Sequence, residues 1–215
     1  MSTFVIYSDT ADGYLASTDS TFSAARAGTG ASLTADSTSS SANVGMTYSK
    51  SYYVYEAALS FDTSVVTGTP SSAVLSLYVA LDNSTQDFTA NARAVDWGAS
   101  LTTGNWIAGG SLSGNPLRAT RSTAGLTNGA YNDFTQDASF PGNLASPVRL
   151  WLSSDRQESN TAPTGSEYIN FATADASGTT QDPKLTIVTG AGGGGSYVPN
   201  VIKIYQQAVN RAATR

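Results

Sequence analysis

The chain has 215 residues, of which 40% are apolar, a net charge of −5, and neither cysteine nor histidine. Those absences exclude disulfides, thiolate nucleophiles, zinc–cysteine sites and any catalytic arrangement built on an imidazole base. Charged residues make up only 13% of the chain, and hydroxyls replace them, with 30 Ser and 27 Thr.

Three Lys and three Glu are too few to dress long amphipathic helices. Thr, Tyr and Val suit a pleated, half-buried surface, and Ser, Gly and Asn suit the turns between strands. Strands are therefore expected near 3–8, 12–16, 31–34 and 44–48. The clearest alternation runs from Tyr52 to Phe61: Tyr55, Ala57, Leu59 and Phe61 share one face, and Val54, Glu56, Ala58 and Ser60 the other. Ala73 to Val79 repeats the pattern, with Leu75, Leu77 and Val79 inward and Ser76 and Tyr78 outward. Val148-Arg149-Leu150-Trp151-Leu152 does the same, and further strands are expected near 88–97, 131–135, 167–173 and 184–189. Turn signals such as Asp82-Asn83, Asn128-Gly129 and Pro141-Gly142-Asn143 separate them. The stretch from 98 to 130 is too long for a plain loop and is expected to hide a short strand, for instance Leu117 to Thr120. No helical period is visible before residue 198.

The predicted fold is an all-β antiparallel sandwich, a jelly roll, over residues 1–189. After it the texture changes. Residues 190–196 are a glycine linker. In 197–215, Val198, Val201, Ile202, Tyr205, Ala208 and Val209 fall on one helical stripe. Such a segment is marginal alone. It can fold back on the sandwich, dock on another protein, or add as a strand at Val201 to Tyr205; docking is the expected role. Charge also divides here. Residues 1–190 carry 8 basic and 16 acidic side chains, whereas 191–215 carry Lys203, Arg211 and Arg215 and no acid.

An acidic body repels nucleic acid. No run approaches the ~18 apolar residues of a membrane span. The first residues lack a basic start and an apolar run, so a chain made in the cytoplasm is expected, displayed outside only through lysis or packaging in a particle.

Ala57-Ala58-Leu59-Ser60-Phe61-Asp62-Thr63-Ser64, a loop, then Ala73-Val74-Leu75-Ser76-Leu77-Tyr78-Val79 resembles the core of the DNRLRE domain family. Val95-Asp96-Trp97, Asn105-Trp106 and Pro183-Lys184-Leu185-Thr186-Ile187-Val188 are similar to later family features in the same order; the family's usual Arg before Phe is Ser60 here. The resemblance implies a jelly roll like that of carbohydrate-binding modules, found in bacterial surface proteins and on phage particles. Jelly rolls of this type often hold a structural calcium near the first and last strands, where Asp9, Asp12 and Asp182 fall; the alternative for each is a turn or cap residue.

The functional expectation is a non-enzymatic phage virion structural protein, a capsid decoration, spike or tail adhesion component, anchored to other virion proteins by its C-terminal segment and allowed to self-associate. The alternative is a free carbohydrate-binding module. For sugar contact, Trp151, Arg149, Tyr78 and Glu56 are expected to form an outward platform if their strands are neighbours, unless a loop or second subunit covers Trp151. No carboxylate pair stands out for glycoside hydrolysis.

Overall fold

In the computed structural model of the chain, residues 1–190 are described. They form β1 (Ser2–Tyr7), β2 (Gly13–Asp19), β3 (Ser32–Asp36), β4 (Ser41–Ser49), β5 (Ser51–Phe61), β6 (Pro70–Asp82), β7 (Thr89–Ala94), β8 (Leu117–Ser122), β9 (Ala130–Asp133), β10 (Thr135–Gln136), β11 (Val148–Ser154), β12 (Ser166–Ala172) and β13 (Lys184–Thr189). The expected strand inside 98–130 is present as β8. The linker and docking segment, with Val198, Val201, Ile202, Tyr205, Ala208 and Val209, lie outside the described residues.

The pairings are antiparallel. The hydrogen-bonded path runs β1-β13-β6-β12-β4-β5-β11-β7-β8-β10, with β2 and β3 extending from β5 and β9 added on β6. The sheet curls so that both halves of this path line one core. Phe4, Leu75, Leu77, Phe171 and Ile187 come from the first half, and Leu59, Phe61, Ala92, Leu150 and Leu152 from the second. This is the predicted all-β sandwich.

Strand β4 is the corner between the halves. It pairs with β12 over Ser41 to Thr47 and with β5 from Gly45 onward. Gly45 has φ 120°, and a Cβ there would lie 2.2 Å from the Glu167 carbonyl oxygen. Only glycine tolerates both conditions, so the corner is fixed by sequence.

The absence of a helical period before residue 198 does not mean the absence of helices. α1 (Phe22–Ala27), α2 (Gly109–Leu112) and α3 (Asp155–Glu158) are present. Each is too short for an apolar stripe to repeat, so periodicity misses them. α1 is marked at its ends instead: the Thr21 hydroxyl accepts from the Ala24 N–H, and Gly28 closes the helix at φ 70°. Trp106 packs on Gly28 so closely that a Cβ would lie 2.2 Å from its ring.

The segment from Val95 to Asn115 folds back over β2, β5 and β11. It builds a second apolar cluster of Leu15, Ala58, Trp97, Leu101, Leu112 and Trp151, with Trp106 and Ile107 packed against it. Burial of Leu15 and Leu112 there contributes on the order of 2 kcal/mol each.

Candidate functional site

The expected sugar platform is not assembled. Trp151 and Glu56 are both 0% exposed, because the 95–115 cover seals the face of β5 and β11 that carries them. The Trp151 indole N–H donates to Glu56 Oε2 at 2.9 Å, and the Gln157 side-chain amide donates to Oε1. Burial pushes the Glu56 carboxyl up to about 8, against donors from Gln157, Trp151 and the Ile107 backbone that pull it down. Trp97 meets Trp151 at a steep angle, ring centres 6.0 Å apart. Arg149 is half-buried, lies over Trp97 at 5.6 Å and pairs with Asp96. Tyr78 sits on β6, which borders neither β5 nor β11. Its aromatic neighbour is Tyr131, 5.6 Å away edge-on, and the Lys184 ammonium lies 3.8 Å above the Tyr131 ring.

The calcium expectation does not fit the residues either. Asp9 accepts from the Ser60 hydroxyl and from the Ala11 N–H at 2.9 Å each. Asp12 is fully buried, and its Oδ2 accepts from the Ser8 hydroxyl at 2.9 Å and the Ala174 N–H at 2.8 Å. Burial pushes the Asp12 carboxyl up to about 7, with smaller upward contributions from the charges of Asp175 and Asp9. Asp182 is fully buried, and its backbone carbonyl accepts from the Tyr131 hydroxyl at 2.9 Å. Among the described residues no three acidic side chains are gathered to hold a metal ion. Asp9 and Asp12 instead brace the turn after β1.

The remaining carboxylates of the interior are committed to structure. Glu158 receives a forked pair from Arg93 at 2.8 and 2.6 Å and the Ser153 hydroxyl at 2.8 Å; these donors hold its carboxyl below the ordinary range despite burial. Glu167, 0% exposed, is held by Arg156 at 2.6 Å. Arg26 caps the carbonyls of Gln157 and Glu158 and so ties α1 to α3.

Sequence reading passed over a different surface. Tyr53 and Tyr55 alternate with buried Val54 and share a face of β5. Tyr55 and Tyr168 both lie opposite Gly45, one on each side. With no side chain between them, their rings approach to 5.6 Å. Tyr53 is stacked on Tyr55, centres 6.5 Å apart and planes 14° apart. Tyr14 of β2, opposite Ala57, completes the group. Burial, then the neighbouring phenols of Tyr168, Tyr53 and Tyr14, raise the Tyr55 hydroxyl to about 12. All four rings are half-exposed, and among the described residues none of the four hydroxyls is bonded to a protein atom. Around the hairpin tip, Tyr48 lies 4.5 Å from Tyr52, and Phe22 5.7 Å from Tyr52. A row of ring faces with open hydroxyls can stack on the C–H face of a sugar and bond its hydroxyls at once. The signal in the sequence was Tyr52-Tyr53-Val54-Tyr55, more aromatic than a strand end needs.

No family model matches the sequence, and no curated protein matches it.

Proposed function

We propose that this chain is a non-enzymatic phage virion structural protein, a capsid decoration, spike or tail adhesion component. Its sandwich displays a polysaccharide-binding surface, and residues 197–215 anchor it to other virion proteins. The observation that carries the binding half is the group Tyr14, Tyr53, Tyr55 and Tyr168, half-exposed rings whose hydroxyls have no protein partner among the described residues. A folded sandwich does not need four such phenols at one place, and Tyr is enriched where surfaces bind. A binding role rather than catalysis is supported by Glu56, Glu158 and Glu167, each tied down inside by Trp151 and Gln157, by Arg93, or by Arg156. The anchoring half rests on the linker, the helical stripe and the opposite charge of 191–215.

The test removes residues 197–215 and follows both properties. Association with purified particles, read by mass spectrometry, is lost while polysaccharide binding stays intact. Particles whose protein inventory lacks the chain would overturn the virion role. The same tyrosine group supports a second reading, a free carbohydrate-binding module; it is favoured if sugar binding persists and no particle association is found in the full chain.

A further inference from the structure

A cleft of about 390 Å³ opens where β7, β8 and β11 meet the 140–147 loop. That volume is in the range of small-ligand sites. Arg118 and Arg149 both line it, two of only eight basic side chains in residues 1–190. Phe140, Val148 and Leu150 lie buried behind it, and Asn143 and Ser146 stand exposed on its rim.

The two guanidiniums are only partly used by the protein. Arg118, 9% exposed, makes one side-chain hydrogen bond among the described residues, to the Ser139 hydroxyl at 3.2 Å, and its charge also acts on Asp137. Behind Ser139 stands Asp137, which accepts from its N–H at 2.8 Å and its hydroxyl at 2.6 Å. Arg149 pairs through Nη1 with Asp96, while its buried Nε has no hydrogen-bond partner among the described residues. The Asp96 side chain is 79% exposed, and an ion pair that open to water is weak and readily exchanged. Asp96 therefore shows what the cleft accepts: a carboxylate on a guanidinium, the pairing whose flat two-pronged geometry suits arginine.

We propose that this cleft binds an acidic saccharide, with the sugar carboxylate held by Arg149 and Arg118 in place of Asp96. The inference rests on the saccharide-binding reading above and adds a substrate class and a second contact region to it. The sugar hydroxyls meet the exposed Asn143 and Ser146. The acidic body favours a singly charged group over a phosphate: every further negative charge is repelled by the excess of acids in residues 1–190. Two guanidiniums, Arg149 and Arg118, offset that repulsion for one carboxylate.

The full chain is titrated calorimetrically with oligogalacturonate, oligomannuronate and hyaluronan fragments, and with neutral dextran and galactan oligomers of equal length. At least one carboxylated series binds about tenfold or more tightly than the neutral ones, as expected for a charge-assisted pair. Arg118→Gln and Arg149→Gln each remove that advantage. Asp96→Asn moves the other way and tightens acidic binding several-fold, a gain that misfolding cannot produce. The proposal is overturned if Asp96→Asn leaves acidic binding unchanged, or if dextran sulfate gains as much as the carboxylated sugars. Equal binding of neutral and acidic oligomers sinks the cleft and leaves the saccharide reading standing; no binding of either kind sinks both.

Discussion

The two faces of β5 look alike in sequence and end differently in the fold. One carries Val54, Glu56 and Ala58 and is sealed under α1, α3 and the 95–115 cover, with all three residues fully buried. The other carries Tyr53 and Tyr55, which run on into Ala57, Leu59 and Phe61 of the main core. At its N-terminal end the opposite layer no longer reaches, and the tyrosines stay half-exposed. Aromatic residues on a strand therefore do not define a binding face by themselves. What decides is whether irregular chain lies over them, and the 95–115 segment lies over Trp151 and not over Tyr55.

Breaking the covered face costs the most. Trp151→Ala opens a cavity and removes a donor from buried Glu56, so a loss of about 3–5 kcal/mol is expected. Urea unfolding measures it, with polysaccharide affinity of the folded fraction unchanged. An affinity loss without a stability loss would return Trp151 to the surface role that the sequence suggested.

A smaller effect is pH-dependent. Folding raises the Glu56 pKa from 4.5 to about 8, and that of Asp12 from 3.8 to about 7. The native chain thus holds protons that the unfolded chain has released over this interval. Stability is fully present below about pH 4 as far as these groups are concerned, and declines toward pH 8. The slope is at most about 1.4 kcal/mol per pH unit for each group. Glu56→Gln flattens the decline between pH 5 and 8; an unchanged slope in urea midpoints would mean that Glu56 is ionised throughout.

Much of the fold was legible because period-two alternation survives in the strands. Tyr55, Ala57, Leu59 and Phe61 were grouped correctly, as were Leu75, Leu77 and Val79, and β8 was expected within the long loop. The cover was not legible. Leu101, Trp106, Ile107 and Leu112 carry no period, since irregular chain has none; a loop over Trp151 was foreseen as the alternative to exposure, but nothing showed which residues form it or that Glu56 lies beneath it. Tyr78 was placed outward correctly, but strand order decides neighbours, and β6 lies in the other half of the sandwich. The tyrosine group escaped because Tyr168 and Tyr55 are brought together by the Gly45 corner, a long-range pairing with no local trace.

The most direct measurement is affinity electrophoresis through gels containing a panel of bacterial surface polysaccharides, comparing the native chain with Tyr55→Ala and Tyr168→Ala. Both variants truncate half-exposed rings, so each should lose only about 1 kcal/mol of stability, near the centre for single substitutions. The native chain should be retarded in at least one gel, and each variant should lose most of that retardation while remaining folded. Retardation of folded Tyr55→Ala and Tyr168→Ala equal to that of the native chain would contradict the assignment of the open face of β5 as the binding surface.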